Sequence, residues 1–109
     1  MSVEITRSED VLNVILPGPR LDAAAVPVFK QYMQDAMARH AGHITINLQH
    51  VQFIDSSGLG AIVGMARRVP AGRRFVIEEA CPAVMRLFRL TRVDAVLTIR
   101  EAAVAGDNA

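Results

Sequence analysis

Extended and helical hydrophobic periodicities alternate along this chain, and that alternation predicts a single α/β domain with helices packed on a mixed β-sheet. Three observations carry the expectation. Ile44-Thr45-Ile46-Asn47-Leu48 alternates apolar and polar positions and is rich in β-branched residues, as a strand is. A helical stripe of Leu59, Ile62, Val63, Ala66 and Val69 follows it, and Arg74-Phe75-Val76-Ile77-Glu78 is extended again. Strand, helix and strand at this spacing form a βαβ unit, which calls for parallel neighbours and a right-handed crossover.

The other elements fit around that unit. Val3 to Arg7 alternates, Ser8-Glu9-Asp10 reads as a turn, and Val11 to Leu16 resumes extended structure, so the chain opens on a β-hairpin. Pro17-Gly18-Pro19 ends that strand, because proline donates nothing to a ladder. Asp22 is a candidate cap, and since Pro27 is tolerated only in a first turn, the helix is expected to start between Ala24 and Val26. Its stripe is Phe29, Met33, Ala36, Met37 and His40; Lys30, Gln31, Gln34, Asp35 and Arg39 take the other face, and Gly42 ends it. Phe53-Ile54 packs beneath the central strand, and Pro70-Ala71-Gly72 stops the second helix. A third helix opens at Pro82 with Val84, Leu87 and Phe88 inward and Met85, Arg86 and Arg89 outward. Ala95 to Ile99 is expected as the last strand, and about 100–109 as a short helix or frayed tail.

Composition narrows the function. At 109 residues, 51% hydrophobic and 21% charged, the chain can enclose a core without disulfides or metals. The single cysteine, Cys81, permits no internal disulfide and fits a reducing compartment. No apolar run approaches the ~20 residues that span a bilayer. Met1-Ser2-Val3-Glu4 lacks the features of a signal peptide, so a cytoplasmic protein is expected. A net charge of +1 gives no push toward nucleic acid or membrane, and Arg67-Arg68, Arg73-Arg74, Arg86, Arg89 and Arg92 read as a solvated rim without interleaved aromatics. His40, His43 and His50 have no metal-ligand spacing.

The chemistry concentrates in Asp55-Ser56-Ser57-Gly58-Leu59-Gly60, where an apolar run ends and a helix begins. Asp and Ser are preferred N-caps, so two hydroxyls stand at the positive end of a helix dipole. The opposite side of that helix presents Gly60, Ala61, Gly64, Met65 and Arg68, nearly bare backbone. No Gly-x-Ser-x-Gly elbow or phosphate-binding glycine loop is present, and no oriented base is marked for either serine, so no catalytic residue and no cofactor is expected. A small hydrolase using Ser56 or Ser57 with His43 or His50 is the enzymatic alternative. A serine here is well placed to receive a phosphoryl group, whose charge would meet free N–H donors and repel a partner docked on the glycine face. The residues leave a second reading equally open: the serines cap, and the glycines allow close packing within the domain.

Taken in order, Gly18-Pro19-Arg20-Leu21-Asp22, the Asp55-Ser56-Ser57-Gly58-Leu59-Gly60 stretch and Pro82-Ala83-Val84-Met85-Arg86-Leu87-Phe88 make the chain resemble STAS-domain anti-sigma factor antagonists over nearly its whole length, residues 1–109. The resemblance implies a sheet with helices on one side. It also implies that Ser56, rather than Ser57, is phosphorylated by an anti-sigma factor that is a GHKL-type serine kinase. The unmodified form would bind that kinase and free the sigma factor, and a PP2C-type phosphatase would reset the switch. Asp22 and Asp55 match acidic positions facing the kinase, beside a binding surface of Ser56, Ser57, Gly58, Gly60, Ala61, Gly64, Met65 and Arg68. A role as a STAS subunit in a lipid-transport ATPase complex is the alternative within the resemblance. Two departures stand out: Pro19-Arg20 replaces the usual acidic residue, and Thr91-Arg92-Val93 replaces a common Gly-Leu turn.

Overall fold

The computed structural model describes residues 3–39 and 42–102. The opening hairpin forms as expected: β1 (Glu4–Ser8) pairs antiparallel with β2 (Val11–Ile15). α1 (Val26–Ala38) precedes β4 (His43–Asn47), which pairs parallel with β2 on one side and with β6 (Phe75–Ala80) on the other. β7 (Thr98–Glu101) adds in parallel beyond β6, giving a mixed sheet in the order β1-β2-β4-β6-β7. Two short segments, β3 (Arg20–Leu21) and β5 (Phe53–Ile54), form a separate parallel pair. α2 (Ser56–Arg68) lies between β5 and β6, and α3 (Pro82–Leu90) between β6 and β7.

Register explains the core. Leu12, Ile44 and Phe75 face one another across three strands, and Val14, Ile46 and Ile77 form the next row. Because side chains alternate along a strand, both rows point to one face of the sheet. Phe29, Met33 and Ala36 of α1, Ile62 of α2, and Val84 and Phe88 of α3 join them in one buried cluster. Only strand and loop residues line the groove on the opposite face, among them Asn13, Thr45 and Glu78. Helices on one side of a mixed sheet is therefore the observed architecture.

Local expectations are corrected at several points. The buried line of α2 is Gly58, Ala61, Ile62 and Met65, whereas Leu59, Val63, Ala66 and Val69 are half-buried at its edge. Met85 is buried in α3 instead of facing outward, and Leu87 is only half-buried. Phe53 does not pack beneath the sheet; it is exposed, and Ile54 alone points inward. Val93–Ala95 is a 3₁₀ turn, in which the Ala95 and Val96 amides donate to the carbonyls of Arg92 and Val93, so the last strand starts later than the β-branched run suggests. Arg100 and Glu101 belong to that strand and not to a tail; the tail expected for 103–109 and the placement of His40 lie outside the described residues. Arg92 itself has φ 59, so the turn after α3 adopts the left-handed geometry that glycine would take more easily.

Candidate functional site

The site is assembled where β3, β5 and α2 meet. Asp55 caps α2: its Oδ1 accepts a hydrogen bond from the Gly58 amide at 2.9 Å, and its Oδ2 accepts one from the Ala23 amide at 3.1 Å. One carboxylate thus satisfies an orphan donor of the helix start and ties it to the loop before α1. Asp55→Ala is expected to lower stability by about 1–2 kcal/mol, read as a lower urea midpoint with an unchanged slope. An unshifted midpoint would mean that the cap contributes nothing.

Asp22 closes the loop beside it. Its Oδ1 accepts from the Ala25 amide at 3.2 Å, and its Oδ2 meets Arg20 Nε at 3.1 Å. It therefore stabilises the turn before α1 and does not cap the helix, whose first residue is Val26. Arg20 also stacks its guanidinium over the exposed Phe53 ring, 4.3 Å from the centroid. Its hydrogen bond to Asp22 is the main reason that this carboxyl lies below the ordinary aspartate range, with the Ala25 amide helping and burial opposing. A depressed carboxylate favours the fold above its usual range and loses that contribution as pH falls through its own, lower midpoint. NMR titration of the Asp22 carboxyl is expected to show that low midpoint, and Arg20→Ala to raise it toward the ordinary value; identical titrations would remove Arg20 as the cause.

With Asp55 as the cap, the hydroxyls of Ser56 and Ser57 are not needed for capping. Both residues are exposed at the first two positions of α2, and neither hydroxyl is hydrogen-bonded among the described residues. The glycines divide by role. A Cβ on Gly58 would collide with the Leu21 carbonyl, so this glycine lets α2 seat against β3. A Cβ on Gly60 or Gly64 would meet nothing within 4 Å, so close packing inside the domain does not account for those two.

Gly60, Ala61, Gly64, Met65 and Arg68 line one groove, together with Lys30, Gln34 and Met37 of α1. Ala61 and Met65 form its buried floor instead of projecting outward, and Gly58 lies beneath the helix. The α1 side of the groove carries no sequence signal, because which helix lies beside α2 is decided by sheet order. His43 Nδ1 accepts from the Arg74 amide at 2.9 Å and His50 contacts Gln49 at 2.9 Å; neither bonds to a site serine. No group of three or more potential metal ligands occurs among the described residues. None of their helices is long and apolar enough to cross a membrane.

This fold and helix start define a class: a family model for the STAS domain matches residues 2–104, and the chain belongs to that family. Among its relatives is the anti-sigma F factor antagonist of Paenibacillus polymyxa, 30% identical over 101 residues, covering 91% of this chain and 86% of the relative. The anti-sigma-B factor antagonist of Bacillus subtilis is 26% identical over 100 residues, covering 91% and 90%. The crystal structure of an anti-sigma factor antagonist from Mycobacterium paratuberculosis shares the fold at a TM-score of 0.83, with 21% identity and 91% and 84% coverage.

Proposed function

We propose that this chain is an anti-sigma factor antagonist whose binding is switched by phosphorylation of Ser56. In its unmodified form it binds an anti-sigma factor that is also a GHKL-type serine kinase, and so releases a sigma factor in the cytoplasm. Phosphorylation ends that binding, and a PP2C-type phosphatase restores it. The observation that carries the reading is an exposed Ser56 hydroxyl, free of any capping duty, at the start of a helix whose outward glycines meet only open space. The backbone N–H groups of Ser56 and Ser57 have no acceptor among the described residues, so a phosphate there gains donors and a favourable dipole without unfolding the helix. The relatives' antagonist names support the same role. Asp22 and Asp55, joined through the Ala23 to Ala25 loop, put two carboxylates at the end of the docking face nearest Ser56.

The test is incubation with ATP and a GHKL-type anti-sigma factor kinase that binds this chain, followed by mass spectrometry. One phosphate on Ser56 is expected, and none on Ser56→Ala. Undiminished phosphorylation of that variant would move the site elsewhere. Co-purification with a transport ATPase in fixed ratio, with Ser56 unmodified, would favour the structural-subunit alternative.

A further inference from the structure

The groove between α1 and α2 does not end at the glycines. Gln34, Met37 and Arg68 line both the narrow part beside Gly60 and Gly64 and a larger cleft of about 650 Å³ beyond it. Ala38 and Arg68, the last residues of the two helices, border that cleft, while the Ala23 amide reaches Asp55 at the opposite end. The helices therefore run side by side in the same direction. The cleft has an apolar floor of Met37, Ile44 and Val69 and a cationic rim of Arg39, Arg68 and Arg73. Arg67 and Arg74 are exposed next to it in the chain.

Among the described residues these five arginines make no salt bridge; the ion pairs present use Arg20, Arg89 and Arg100. α2 contains no acidic residue, and the only one in α1, Asp35, accepts a hydrogen bond from Gln31. The groove is thus polarised along its length, with Asp22 and Asp55 at the Ser56 end and unpaired guanidinium groups at the other. Gly60 and Gly64, one turn apart on the same face, remove the ridge that would keep another helix at a distance.

We infer that the groove receives an amphipathic helix of the protein partner. Its apolar stripe lies along Met37, Gly60 and Gly64, and its acidic residues meet Arg39, Arg68 and Arg73. This rests on the reading of the α2 face as a docking surface and adds the chemistry of what docks there. Since α2 spans 13 residues, a partner helix of about 12–14 residues matches the groove. A second copy of this chain is a poor occupant, because α2 and α3 carry no acidic residue and α1 carries one. An apolar floor without stacking aromatics disfavours nucleic acid.

The test uses the intact chain and two fluorescein-labelled peptides of about 14 residues, sharing a leucine stripe at helical spacing and carrying either Glu or Lys elsewhere. Anisotropy is expected to give the Glu peptide at least about tenfold tighter binding, falling as salt rises. Amide shifts should be confined to the groove around Met37, Gly64 and Arg68. Arg68→Glu combined with Arg73→Glu, both at exposed positions, is expected to remove about tenfold of that affinity while the variant keeps its fold, with a slightly lower melting point from the charge reversal in the last turn of α2. Equal binding of the two peptides, shifts outside the groove, or full binding by the folded double variant overturns the inference. So do groove shifts produced equally by a DNA oligonucleotide or by anionic vesicles, or a concentration-dependent dimer that the Glu peptide fails to dissociate. With the cognate kinase, loss of binding in Ser56→Asp but not in the arginine double variant overturns this inference alone. The reverse result leaves the groove assignment standing and removes Ser56 as the switch.

Discussion

Gly58→Ala is expected to destabilise the protein by about 1–3 kcal/mol, whereas Gly60→Ala and Gly64→Ala are expected to stabilise it by up to about 1 kcal/mol each. All three residues sit in one helix, and helix propensity favours alanine at each. The difference comes from their surroundings. A Cβ on Gly58 meets the backbone carbonyl of Leu21, which is held in the β3–β5 pair and cannot yield without moving the helix start that Asp55 ties down. The corresponding atoms on Gly60 and Gly64 enter open space. Equilibrium urea unfolding of the three variants reads these signs directly. A neutral Gly58→Ala would show that α2 does not seat on β3, and a strongly destabilising Gly60→Ala would show that its face is covered within the domain. If the open glycines serve docking, Gly60→Leu should keep the fold and lose the partner.

Ser56→Asp is expected to weaken binding to the anti-sigma factor kinase by about 100-fold or more, while Ser56→Ala stays bound in the presence of ATP. The charge enters beside Asp55 and Asp22, where an unmodified interface holds a small neutral hydroxyl. Like-charge repulsion and the cost of desolvating a new carboxylate then act together, each worth several times RT in a contact that excludes water. Ser57→Asp, one position further along α2, is the control and is expected to have the smaller effect. Isothermal titration of the four proteins with the kinase provides the measurement. Equal binding by Ser56→Asp and the unmodified chain would remove Ser56 as the switch, and a larger loss at Ser57 would transfer the role to its neighbour.

Much of this arrangement was legible before folding was considered. The β-branched alternation at Ile44 to Leu48, the proline near the start of α1 and the acidic residue before Ser56 all act over a few residues, through strand packing, a fixed backbone angle and a cap. The structure keeps each of them. The errors have a common origin. Assigning Leu59 and Val63 to the buried face of α2 weighs side-chain hydropathy and gives glycine and alanine no pull, yet Gly58 turns inward because a Cβ there would strike the Leu21 carbonyl, and Ala61, one turn on, is buried on the same side. Met85 is buried and Phe53 exposed for a related reason: apolar character permits burial, but the neighbouring elements decide it.

Local chemistry therefore determined the α/β class, the order of elements, the hairpin, and a helix that starts on Asp55 with two serines behind it. Tertiary structure alone decided that Asp55 also holds the Ala23 loop and that Gly58 differs in purpose from Gly60 and Gly64. It alone placed α1 beside α2, so that Met37 and Arg39 share a groove with Arg68. The physical reason is range. Caps, turns and periodicity act over at most a few residues along the chain, whereas a groove between helices depends on which strands pair, and that pairing is selected by burial across the whole sheet.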